Sequence, residues 1–146
     1  MKYSLFLLLL VTMGCSVFDG MRKKSFAYQE GEALPLLVPK GYKTSELLTD
    51  SSGNKAHIFS YGDETALYFY FGDSIENNLP TDTGMNIPKY YPGDVQFFKG
   101  QDSSNGLFWR ESRYKNFRFG YRNIATKRES LFDSSVNYAA WQAIAR

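Results

Sequence analysis

The chain has 146 residues, 17 lysines and arginines against 15 acids, and a formal net charge of +2. That size fits one domain, and that charge is too small to draw the protein to nucleic acid by long-range attraction. A single cysteine excludes an internal disulfide, so stability must come from a buried core, for which aromatic residues at 17% supply the material.

The N-terminus reads first. Lys2 precedes the apolar run Leu5-Phe6-Leu7-Leu8-Leu9-Leu10-Val11, followed by Thr12-Met13-Gly14-Cys15. A basic start, an apolar stretch and a small residue before a cut are the layout of a secretory signal. The run is shorter than the roughly 20 apolar residues that span a bilayer. Gly14-Cys15 resembles the lipobox of bacterial lipoproteins, with Met13 where that family usually has Ala or Ser. The resemblance implies that residues 1–14 are removed as a signal peptide, that Cys15 is lipidated on sulfur, and that the new N-terminus is acylated. The expected location is therefore the cell envelope, with the membrane as first partner. Ser16, where an aspartate would imply inner-membrane retention, favours the outer membrane in a cell that has one.

Residues 15–33 are expected to form the lipidated N-terminus and a tether. Met21-Arg22-Lys23-Lys24 is basic and Gln29-Glu30-Gly31-Glu32 polar, with little periodicity. The reading is a solvated linker whose bases can lie against anionic head groups. One globular domain is expected over 34–146. It opens with a strand at 34–38, a Pro39-Lys40-Gly41-Tyr42 turn, one helical turn at 44–48 and a loop at 50–54.

Residues 55–61 and 65–71 predict a hairpin around Gly62-Asp63-Glu64. In the second strand Leu67, Phe69 and Phe71 alternate with Ala66, Tyr68 and Tyr70, which places the two sets on opposite faces. Residues 72–93 read as a long loop. Strands are expected at 94–99, 106–114 and 117–124, the last two joined by Lys115-Asn116. From Arg128, Phe132, Val136, Ala139, Ala140 and Ala143 recur at helical spacing, with Thr126 or Ser130 as cap. The expected class is α+β: an antiparallel sheet of five to six strands with a C-terminal helix packed on one face.

Catalytic chemistry is sparse. His57 is the only histidine, and with no free cysteine beside it the usual zinc sites are not available. No metal and no cofactor is expected. No serine lies in a nucleophile elbow, and no glycine loop is of the Walker type. Asp82-Thr83-Gly84 resembles the triplet of aspartic proteases, but it occurs once and in a polar loop, so it reads as a turn. Asp50-Ser51-Ser52-Gly53-Asn54 and Asp102-Ser103-Ser104-Asn105-Gly106 lack the spacing of calcium loops and also read as turns. A hydrolase would have to draw on carboxylates such as Asp63, Glu64, Asp73 or Glu76.

Residues 109–128 interleave aromatics with bases. Phe117-Arg118-Phe119-Gly120-Tyr121 partly resembles the aromatic strand of an RNA-recognition motif, but the paired strand motif is missing. Trp109, Arg118, Tyr121 and Arg122 are therefore candidate contacts for an anionic glycan, lipid head groups or an acidic envelope protein rather than nucleic acid. Arg118 and Arg122 are expected to form an exposed positive row. The function expected is a small membrane-anchored lipoprotein, a non-catalytic accessory or structural component of the envelope. The alternative is a glycan- or lipid-binding module using the aromatic and arginine face.

Overall fold

The computed structural model describes residues 19–73, 89–91 and 94–146. Cys15, Glu76 and the Asp82-Thr83-Gly84 triplet lie outside them. The elements are β1 (Met21–Gln29), β2 (Glu32–Pro39), β3 (Thr44–Thr49), β4 (Lys55–Gly62), β5 (Thr65–Phe71), β6 (Lys89–Tyr91), β7 (Val95–Gln101), β8 (Phe108–Tyr114), β9 (Phe117–Ile124) and α1 (Thr126–Ile144).

The class is α+β. Seven antiparallel strands run in the order β3-β4-β5-β9-β8-β7-β6, and β1 and β2 form a separate two-stranded sheet. The helix packs on the large sheet and on β2. The large sheet exceeds the expected five to six strands because β3 and β6 join its two edges. Leu47-Leu48 reads as helical in isolation, yet all of Thr44–Thr49 pairs with β4. Tertiary pairing here overrides a local pattern.

The tether reading needs correction from Met21 onward. Residues 21–29 form β1, paired with β2 from Met21↔Pro39 to Gln29↔Glu32 around a turn in which Gly31 takes φ +74°. Phe26 and Tyr28 alternate with exposed Ala27 and Gln29 and are buried, while Arg22, Lys23 and Lys24 stay in water. The ordered domain thus starts well before residue 34.

The core lies between the large sheet and a second layer made of the hairpin and helix side by side. Cross-strand pairs Phe59↔Leu67, Phe69↔Phe119 and Leu67↔Tyr121 line the sheet's inner face. Leu67 and Phe69 are fully buried, as the alternation in β5 predicts, Phe71 on the same side is half-buried, and Phe119 of β9 is fully buried beside them. Tyr28 packs on Phe71 and Phe117, each at 4.9 Å between ring centroids. Phe132 of the helix packs on Tyr61 and Tyr121. The Ser135 hydroxyl donates to the Leu37 carbonyl, which ties helix to hairpin. Ala139, Ala140 and Ala143 are buried in α1, where small side chains permit close approach. The helix starts at Thr126, two residues before the expected point. Its N-cap is Ala125, with no side-chain cap from Thr126 or Ser130.

Candidate functional site

Residues 109–128 fall in β8, β9 and the start of α1, and the period-two backbone divides them between two faces. Tyr121 points to the helix. Its hydroxyl donates to Asp133 Oδ1 at 2.8 Å, and Arg110 Nη1 meets the same oxygen at 2.9 Å. Arg110 also donates through Nη2 to Asn137 at 2.6 Å and stacks on Phe97. Lys99 reaches Asp133 Oδ2 at 2.9 Å and pairs with Glu129, one helical turn away. Burial alone would raise the Asp133 carboxyl, but hydrogen bonds from Lys99 and Arg110 outweigh it and hold the group below the usual carboxylate range. Burial lowers Lys99, and its bonds to Glu129 and Asp133 reverse that to a net rise. Tyr121 is raised by burial and then by the Asp133 charge, so the phenol remains a donor. This cluster joins the sheet to the helix.

The opposite face carries two cross-strand rows. Tyr68, Gly120, Glu111 and Phe98 are in register across β5, β9, β8 and β7, and Tyr70, Arg118, Arg113 and Gln96 form the next row. Gly120 is required by this geometry. A Cβ there would sit 2.3 Å from the Tyr68 hydroxyl and 2.4 Å from the Arg110 carbonyl oxygen. Without it, Tyr68 lies flat across β9 and donates to Glu111 Oε2 at 2.8 Å. Arg113 Nε donates to Oε1 at 2.6 Å, and Arg118 Nη1 lies 3.7 Å from the same oxygen. Burial, then the Glu111 charge, pushes Tyr68 well above the ordinary phenol value. Both carboxylate oxygens are engaged, so Glu111 acts as a hub holding three strands in register. Arg113 stacks on Phe98, and Trp109 covers Gly100, where a Cβ would come within 2.7 Å of the indole.

The exposed positive row therefore needs correction. Arg118 and Arg122 do share a face, with Gly120 between them, but Arg118 is only 8% exposed and is drawn to Glu111. Trp109 is 5% and Tyr121 1% exposed, and Tyr121 faces the helix instead. Of the four candidates only Arg122 is exposed. Glu111 and Asp133 were not singled out in the sequence, and Tyr68 only as one of the tyrosines alternating along β5. The signal for Asp133 was its spacing of four from Glu129, which places two acids on one helix face.

Other sequence candidates are scattered. His57 Nε2 and Ser45 Oγ are 2.9 Å apart across β3 and β4, and the ring stacks on Phe59. Burial, then nearby Lys24, lowers the imidazole. No carboxylate is hydrogen-bonded to this ring among the described residues. Asp63 and Glu64 form the β4–β5 turn, whereas Asp73 accepts from Asn116 beyond the other end of β5. Seven extended residues, about 23 Å at the strand rise, separate them, so these carboxylates do not converge. Asp50 accepts from the Ser52 and Asn54 backbone, and Asp102 from Ser104, closing both loops on themselves as turns. Among the described residues no three His, Cys, Asp or Glu side chains are grouped to hold a metal ion, and no helix is long and apolar enough to cross a membrane. No protein-family model, curated protein or solved structure matches this chain.

Proposed function

We propose that the chain is a lipid-anchored protein of the cell envelope, attached through Cys15, that acts as an accessory or structural component rather than an enzyme. The observation that carries the reading is the run Leu5–Val11 ending in Gly14-Cys15 behind a basic residue. Several acyl chains on one cysteine hold firmly, since each buried CH₂ contributes about 0.8 kcal/mol. The outer membrane is the favoured location in a cell that has two membranes, because Ser16 follows the cysteine.

The surface that best suits a protein partner is β3. It is an edge strand, exposed along its whole length, with Leu47 at 54% and Leu48 at 48% exposure on opposite faces. Among the described residues no strand pairs with its outer side, and such an edge offers backbone groups to an added strand. The alternative of glycan or lipid binding at the aromatic and arginine face has lost the exposed row that motivated it. Feeding cells a fatty-acid probe tests the proposal: the wild type is expected to be tagged and Cys15→Ser not. Equal labelling of both would contradict it.

A further inference from the structure

The chain leaves the domain at a defined point. Lys40 N–H donates to the Gly20 carbonyl at 2.8 Å, and Lys40 Nζ to the Asp19 carbonyl at 2.5 Å. Four peptide steps separate Cys15 from Asp19, which span at most about 14 Å when fully extended. β1 alone, with nine residues, is about 30 Å long. An anchor at Cys15 therefore keeps the Met21 end of the hairpin near the membrane. The Glu30-Gly31 turn stands at the other end of the same strand.

The charges divide along the same axis. Exposed Arg22, Lys23, Lys24, Lys40, Lys43 and Lys127 gather at the Met21 end. Lys127 belongs there because Leu131, one turn further along α1, packs beside Gly20. Lys43 belongs there because its backbone N–H donates to the Ser60 carbonyl near the end of β4. The acids at this end, Asp19, Glu46, Asp63, Glu64 and Asp102, are five against those six bases. At the far end are Glu30, Glu32, Asp50 and Asp73, set against Lys55, Lys115 and Arg146. The near-end bases are held by structure: Arg22, Lys23 and Lys24 sit on a paired strand, and Lys24 lies 5.6 Å over the Tyr42 ring.

We infer that the Met21 end of the domain rests on anionic lipid head groups, with Arg22, Lys23, Lys24, Lys40, Lys43 and Lys127 as its contact charges. The inference rests on acylation of Cys15. The anchor supplies attachment, and the basic end sets the orientation, with the Glu30 turn pointing away. Each base near such a surface strengthens binding roughly fivefold, and the effect weakens as salt screens it.

The test uses the full mature chain purified from membranes and reconstituted in vesicles of phosphatidylcholine, alone or with phosphatidylglycerol. A spin label is placed at Thr44→Cys, beside Lys43, or at Glu30→Cys in the far turn. With phosphatidylglycerol, access of a water-soluble nickel relaxant to the Thr44 label is expected to fall about threefold or more, while the Glu30 label is unchanged. High salt, or the change Lys23→Gln with Lys24→Gln, is expected to restore access. Gln preserves chain length at both exposed positions, so circular dichroism should match the parent. Equal access at the Thr44 label in both vesicles, in a chain whose mass carries acyl groups, would overturn the inference and leave the anchor standing. A mass without acyl groups would overturn both.

Discussion

The Tyr121 hydroxyl donates to Asp133 at 2.8 Å, joining the middle strand of the large sheet to the helix above it. Arg110 and Lys99 converge on the same carboxylate from β8 and β7. One side chain of α1 thus holds three neighbouring strands. The Asp133→Asn change leaves the buried Arg110 guanidinium without its charge partner and is expected to cost about 1.5–3 kcal/mol. Denaturant melts at neutral pH measure this. A loss under about 0.5 kcal/mol would show the cluster to be incidental.

The same carboxylate sets an acid dependence. Its pKa in the folded chain lies below the unfolded value, so its stabilisation is present above about pH 4 and is lost as pH falls toward the folded value. Wild-type stability is expected to decline over that range, and Asp133→Asn to show a shallower decline. Parallel slopes for the two proteins would assign the acid sensitivity to other groups.

Phe69 is fully buried between Phe59 and Phe119. Phe69→Ala is expected to cost about 3–5 kcal/mol. Gly120→Ala is expected to cost about 1–3 kcal/mol, because its Cβ meets the Arg110 carbonyl, which is backbone and does not yield easily. Free energies of unfolding from urea melts decide both. A neutral Gly120→Ala would mean that the Arg110 carbonyl and the Tyr68 ring do not close over Gly120 as described.

These two positions show what the sequence made legible. β5 was readable because Leu67 and Phe69 alternate with tyrosines, a period no helix shares, and the structure buries the Leu67 and Phe69 side. β1 was hidden, since Phe26 and Tyr28 follow three bases and only two apolar side chains mark its inner face. β3 was hidden for the opposite reason: an edge strand exposed on both faces has no alternation to show. Arg118 and Arg122 of β9 were visible, but the burial of Arg118 was not. It depends on Glu111, which meets Arg118 only through the register of β8 on β9. Such cross-strand partners are set by tertiary pairing and leave no local period.

The β4–β5 turn offers a stabilising change. Asp63 and Glu64 both take positive φ, at 50° and 60°, the backbone of a two-residue hairpin turn that favours glycine at its second position. Glu64→Gly is expected to raise stability by about 0.5–1 kcal/mol, since relief of left-handed strain exceeds the added freedom of the unfolded chain. A lower melting temperature for this variant would mean that the turn carries no such strain.

Attachment through Cys15 is tested most directly by the intact mass of the mature protein extracted from membranes. The expected chain begins at Cys15, lacks residues 1–14 and carries the added mass of acyl groups on that residue. A mature chain starting elsewhere, or one whose Cys15 is a free thiol, would contradict the lipid anchor and with it the envelope reading.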